Sequence, residues 1–124
     1  MLKVVIADDS TEIRDRISSM VSSIPGVEIA GEAIDGVEAA VILRRTKPDL
    51  VILDLHMPKI SGLEILPAVK EIDPPPIIVV LTNYSTSPLK AMCLKRGADY
   101  FFDKSTEFEK AIAVIEKLAC ALAP

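Results

Sequence analysis

Apolar residues come in two alternating rhythms along this chain. Val4-Val5-Ile6-Ala7, Leu50-Val51-Ile52-Leu53 and Ile77-Ile78-Val79-Val80-Leu81 are unbroken apolar runs of strand length, the pattern of strands covered on both faces. They predict the centre of a sheet. Val27 to Ala33 alternates apolar and polar instead, and Tyr100-Phe101-Phe102 is short and flanked by Asp99 and Asp103, so both segments predict edge strands. Helical spacing fills the intervals. Ile13, Ile17, Met20, Val21 and Ile24 share one face of a first helix, and Phe108, Ala111, Ile112, Ile115, Ala119 and Leu122 share one face of a last.

Capping signals mark the helix starts. Asp9 with Glu12, Asp35 with Glu38, Ser61 with Glu64 and Thr106 with Glu109 have capping-box spacing, and Ser87-Pro88 reads as an N-cap followed by proline at the first helical position. Pro67 falls inside the third predicted helix, where it removes one backbone bond and should kink it, and Pro74-Pro75-Pro76 stops any helix before the fourth strand. Five strands therefore alternate with five helices. That alternation predicts an α/β fold, a doubly wound parallel sheet with right-handed crossovers; edge strands at positions two and five suit the order 2-1-3-4-5. A single domain spanning residues 1–124 is expected, since this length supports one core and not two.

In such a sheet ligands bind beyond the carboxyl ends of the strands, at the switch point between the first and third. Asp8-Asp9 closes the first run, Asp54 the third, Thr82 the fourth, and Lys104 follows the fifth. Three carboxylates this close need raised pKa values or a bound cation. Mg²⁺ suits them, because it takes a few oxygen ligands and keeps waters for substrate oxygens. Asp54, screened by the metal and Lys104, then has the character of a nucleophile toward a phosphoryl group, with Thr82 offering a hydroxyl to one of its oxygens. Taken singly, Asp8 and Asp9 would read as helix caps, Lys104 as a solvated loop lysine and Thr82 as a strand end; their coincidence at one edge favours the functional reading.

These residues carry a resemblance. Asp8-Asp9, Asp54-Leu55-His56-Met57-Pro58 with Gly62 beyond, Thr82, and Lys104 after Gly97-Ala98-Asp99 together resemble the flavodoxin-like receiver domain of two-component response regulators, from about Lys3 to Leu122. The resemblance implies that Asp54 is the phosphoacceptor and that Asp9, Asp54 and the backbone carbonyl of His56 ligate Mg²⁺. It implies that Asp8 holds the metal through water, and that Thr82 and Lys104 read the phosphoryl group. The family's switch residue corresponds to Phe101, whose ring is expected to move inward when Thr82 shifts. Ser105 stands where the family has a cis proline, and a trans Lys104–Ser105 bond is expected because a cis bond without proline costs about 3–4 kcal/mol. Asn83 and Tyr84, with His56, occupy positions suited to setting phosphoryl lifetime.

Composition narrows the function. The net charge is −4 and no Lys/Arg cluster is longer than Arg44-Arg45, so direct nucleic-acid binding is not expected. No apolar run exceeds six residues, far short of the roughly 20 that a membrane helix needs, and Met1 is followed by no export signal. A cytoplasmic protein is expected. Cys93 and Cys120 sit in apolar helical patterns without metal or redox spacing, and the His56 imidazole reads as a solvated loop side chain. The expected function is a response regulator that accepts a phosphoryl group from a histidine kinase or phosphotransfer protein and switches a protein-binding surface as a stand-alone unit. The alternative is the N-terminal receiver of a DNA-binding transcription factor, whose output domain is a further expected partner. A haloacid-dehalogenase-like phosphohydrolase would need a DxDxT pattern that Asp8-Asp9-Ser10-Thr11 lacks. A mononucleotide binder would place phosphate against the double aspartate.

Overall fold

Odd and even positions of the same strands feed two separate apolar layers, and this alternation builds the molecule. The computed structural model describes residues 1–122, the side chain of Leu122 excepted. The expected seat of Leu122 on the last helix and the final two residues of the expected domain lie outside the described residues. Five strands, β1 (Leu2–Ala7), β2 (Val27–Ala33), β3 (Leu50–Leu53), β4 (Ile77–Thr82) and β5 (Tyr100–Asp103), alternate with five helices. The helices are α1 (Thr11–Ser22), α2 (Gly36–Thr46), α3 (Gly62–Lys70), α4 (Ser87–Lys95) and α5 (Phe108–Leu122). All strand pairs are parallel and their order is β2-β1-β3-β4-β5, as the edge and centre patterns predict.

Val4, Ile6, Ile52, Val79 and Leu81 face Ile17 and Val21 of α1 and Phe108, Ala111 and Ile115 of α5. Val5, Ala7, Val51, Leu53, Ile78 and Val80 face α2, α3 and α4 through Leu43, Leu66, Val69 and Cys93. Each buried aliphatic side chain contributes about 1.5–3 kcal/mol. Both layers are therefore closed by side chains whose period is legible in the sequence.

Local corrections concern the helix starts. Ser10, not Asp9, caps α1: its hydroxyl accepts the Ile13 N–H at 3.3 Å, while the Asp8 carboxylate takes the Ser10 N–H at 2.9 Å. Asp9 is thereby left outside the helix and exposed. Thr86 rather than Ser87 caps α4, with Pro88 inside the first turn, where a missing N–H costs nothing. The Thr106–Glu109 box does not form. The Thr106 N–H is taken by Asp103 Oδ1 at 3.0 Å, and the Asp103 N–H donates to Glu107 Oε1 at 3.1 Å, so α5 begins only at Phe108. Asp35 and Ser61 cap α2 and α3 as expected, through the N–H groups of Glu38 and Glu64. Pro67 lies inside α3 and cannot donate to the Leu63 carbonyl; the Arg96 guanidinium does so instead, at 3.3 Å.

Candidate functional site at the carboxyl edge of the sheet

Each candidate residue is delivered by the continuation of a strand ladder. The Asp8 N–H donates to the Ala33 carbonyl at 3.0 Å and the Asp54 N–H to the Ala7 carbonyl at 2.9 Å, extending β1 and β3 by one residue past their ends. Thr82 closes β4 in register with Asp103, and the Lys104 N–H donates to the Thr82 carbonyl at 2.9 Å. These ladders bring together Asp8, Asp9, Asp54 and Lys104, with Thr82 on the adjoining strand.

Carboxylate oxygens of Asp8, Asp9 and Asp54 lie within 4.8 Å of one another. The Lys104 ammonium bridges two of them, 2.6 Å from Asp8 Oδ2 and 3.1 Å from Asp54 Oδ2. Asp8, Asp54 and Thr82 are buried, whereas Asp9 stands at the exposed rim. Burial pushes the Asp54 carboxyl up from its ordinary range; Lys104 opposes this and the Asp8 charge adds to it. Burial alone would lower the Lys104 ammonium, yet the hydrogen bond to Asp8 and the charges of Asp54 and Asp8 hold it above the usual lysine range.

Three carboxylates against one ammonium leave two negative charges uncompensated, so the donor set fits a small divalent cation that prefers oxygen. The backbone after Asp54 supplies further polar groups. The His56 N–H donates to Asp54 Oδ1 at 3.3 Å, which puts the residue whose carbonyl is the expected third ligand in the same turn. That turn folds back tightly: the Gly62 N–H donates to the Leu55 carbonyl at 3.0 Å, and a Cβ on Gly62 would lie 2.2 Å from the Asp54 carbonyl oxygen. Gly36 is equally confined, its Cβ position lying 1.9 Å from the Ile60 carbonyl oxygen.

The Thr82 hydroxyl accepts the Tyr84 N–H at 3.2 Å. His56 and Tyr84 meet above the site, with ring centroids 3.7 Å apart and planes tilted by 37°. Phe101 is buried in the α2–α3–α4 layer, in the same apolar cluster as Cys93 and Ala98. Its neighbours Tyr100 and Phe102 point to the opposite face, where their rings stack. The Lys104–Ser105 bond is trans, as expected. Cys93 is buried and its thiol is pushed up by that burial; Cys120 is exposed.

Two open grooves approach the acidic cluster. One, of about 460 Å³, is walled by Asp9, His56, Met57, Pro58, Leu63 and Leu89. The other, of about 630 Å³, is bounded by Arg16, Asn83, Lys104, Ser105 and Phe108. Sequence reasoning missed two charged groups near the site. The Arg14 guanidinium donates to the Asp8 carbonyl at 2.9 Å and pairs with Glu32 at 3.4 Å. The Asp103 carboxylate receives the N–H of Ser105 at 2.7 Å and a hydrogen bond from the Ser85 hydroxyl. The signal for Asp103 was its place beside Lys104, since a strand-end aspartate readily binds the N–H groups that follow it.

Comparison with known proteins agrees with this geometry. The family model described as the response regulator receiver domain matches residues 4–116. A protein-glutamate methylesterase/protein-glutamine glutaminase of Methanospirillum hungatei is 39% identical over 106 residues, covering 84% of this chain and 31% of that protein. An uncharacterized transcriptional regulatory protein, YhcZ of Bacillus subtilis, is 33% identical, covering 99% of this chain and 60% of that one. The crystal structure of the response regulator domain of Thermotoga maritima CheB superposes with a TM-score of 0.85 at 26% identity, covering 100% of this chain and 99% of that one. The chain thus spans between about a third and three fifths of the length of these two curated relatives. With five parallel strands in this order, an acidic cluster at their carboxyl edge and a family match over most of its length, the chain belongs to the receiver domains of response regulators.

Proposed function

We propose that Asp54 is the phosphoacceptor of this receiver, that the reaction depends on Mg²⁺, and that a histidine kinase or phosphotransfer protein is the donor. The observation that carries this reading is the Lys104 ammonium bridging Asp8 and Asp54 inside a cluster that keeps a net negative charge. An oxygen of Asp54 forms the new P–O bond as the donor's P–N bond breaks and the donor imidazole leaves. Lys104 swings its charge onto the incoming phosphoryl oxygens, and the Thr82 hydroxyl donates to another. Asp9, Asp54 and the His56 carbonyl would hold Mg²⁺, with Asp8 reaching it through water, and the bound ion would supply charge neutralisation for the phosphoryl oxygens. Drawing Thr82 toward the phosphoryl group breaks its bond to the Tyr84 N–H and biases the surface around α4, β5 and α5, with Phe101 held in or released from its buried position.

The chain is a phosphoacceptor rather than an enzyme with a separate substrate, and it acts in the cytoplasm without touching DNA or membrane. Among the described residues no helix is long and apolar enough to cross a membrane. A second reading is favoured by length: the matched relatives extend well beyond the receiver region, so the switched surface would address an output domain, a DNA-binding one first, in place of a separate target.

Incubation with acetyl phosphate or phosphoramidate, with and without Mg²⁺, tests the site. Intact mass should rise by one phosphoryl group only with Mg²⁺ and only when Asp54 is present; an equal gain in Asp54→Asn, or none in the wild type, overturns the assignment.

A further inference from the structure

The reading of Asp54 as phosphoacceptor leaves open what sets Thr82 and Lys104 relative to each other. They stand on different loops, and both loops are exposed beyond the strand ends: Asn83 to Ser85 follow β4, and Ser105 and Thr106 follow β5. The β5 loop has a serine after its lysine, so no proline ring fixes it. Asp103 supplies what the ring would. Its Oδ1 accepts the N–H of Ser105 at 2.7 Å and that of Thr106 at 3.0 Å, and its Oδ2 accepts the Ser85 hydroxyl from the neighbouring loop. A second tie runs parallel, from the Ser105 hydroxyl to Asn83 Oδ1 at 3.4 Å. Asp103 is itself fixed from behind, since its N–H donates to Glu107 Oε1 at 3.1 Å. The Ser85 hydroxyl, then the N–H groups of Ser105 and Thr106, hold the Asp103 carboxyl below the ordinary aspartate range, as expected for a carboxylate that serves as acceptor throughout the neutral range.

We infer that Asp103 is a positioning residue for phosphoryl transfer: its single carboxylate fastens the Lys104 loop to the loop after Thr82, so that the ammonium and hydroxyl that meet the phosphoryl group move together. Asp103 touches neither the acceptor nor the donor. Its effect falls on the geometry of the transferring group, so losing it lowers the rate at saturating donor more than it weakens donor binding. A proline at position 105 could not take part, because it has no N–H to donate.

This inference rests on Asp54 being the acceptor, and two kinds of measurement separate the two ideas. The first is the rate of phosphorylation by acetyl phosphate with Mg²⁺, as a function of donor concentration, in wild type, Asp103→Ala, Asp103→Asn and Ser85→Ala. Asp103→Ala should lower the phosphorylation rate constant at saturating donor by about tenfold or more, the scale of one lost charge-assisted bond, with the half-saturating donor concentration within about twofold. Asp103→Asn should recover most of the rate, because its amide still accepts from the loop N–H groups and donates to the Ser85 oxygen. A wild-type rate constant in Asp103→Ala, or an Asn variant as slow as Ala, overturns the positioning role. The second is amide hydrogen exchange in the unphosphorylated protein, which needs no acceptor chemistry. Ser85→Ala should speed exchange at Tyr84 and also at Ser105 and Thr106 across the tie; a change confined to Tyr84 means the loops move independently and overturns the inference. A wild type that gains no phosphoryl group would sink the acceptor assignment, and the exchange result would still decide whether the loops are coupled. Should Asp103→Ala fail to fold, Ser85→Ala carries the comparison: it should slow phosphorylation severalfold while Asp103→Asn stays near wild type, and a wild-type rate in Ser85→Ala overturns the positioning role.

Discussion

Replacing Asp54 by asparagine should make the unphosphorylated protein more stable. Asp8 lies within 4.8 Å of Asp54, a repulsion of at least about 3.5 kcal/mol at an effective dielectric of about 20. Lys104 at 3.1 Å contributes an attraction of about 5.4 kcal/mol on the same scale. Asp9 is exposed, so its repulsion is reduced by solvent, but it offsets much of what remains. The pair terms nearly cancel, and the cost of burying the Asp54 charge stays uncompensated. Asparagine removes that cost while keeping its oxygen for the His56 N–H, and Lys104 keeps Asp8. The expected gain is about 1–3 kcal/mol at neutral pH and low salt, read as an upward shift of roughly 1 M in the urea midpoint. The pH dependence has a definite sign. Because the Asp54 carboxyl is raised in the folded state, the native protein binds more protons than the unfolded chain above the ordinary aspartate value, so stability falls as pH rises through that window. The asparagine variant should lose this decline. Mg²⁺ should stabilise the wild type and do less for the variant. A variant less stable than wild type by more than about 1 kcal/mol would mean that Asp54 is a structural hydrogen-bonding group and that the electrostatic account is wrong.

Two further substitutions probe the same edge of the sheet. Lys104→Met removes the counter-charge from two buried carboxylates and should cost about 3–5 kcal/mol in urea titrations at pH 7. Since the Lys104 ammonium is held above the usual lysine range, its contribution is complete below that range and is lost as pH rises through the higher folded value; an alkaline melt in which wild type and Lys104→Met decline in parallel would contradict the bridge. Gly62→Ala places a Cβ 2.2 Å from the Asp54 carbonyl oxygen and should cost about 2 kcal/mol or more while slowing phosphorylation, because the acceptor's own backbone must give way. An unchanged melting temperature would show that the turn is loose.

The apolar rhythm by itself determined five strands, five helices and which two strands are the edges of the sheet, because a strand buried on both faces has to be apolar along its buried length and an edge strand does not. It also determined which residues meet, since strand ends in a parallel sheet lie along one edge: Asp8, Asp54, Thr82 and Lys104 were legible as a site from their positions alone. Capping was legible where one candidate stood alone, at Asp35 and Ser61, and misread where acceptors competed. At α1, Asp8 captures the Ser10 N–H and pushes the cap one residue on; at α5, Asp103 captures the Thr106 N–H before a capping box can form. Only the tertiary structure decided that Lys104 bridges Asp8 and Asp54, that the His56 and Tyr84 rings meet, that Phe101 is buried, and that Asp103 joins two loops. Each of those depends on the approach of loops far apart in sequence, and side-chain period carries no information about the distance between loops. Periodicity reports which face of an element is buried; what the polar ends of those elements touch is set by the twist and register of the whole sheet.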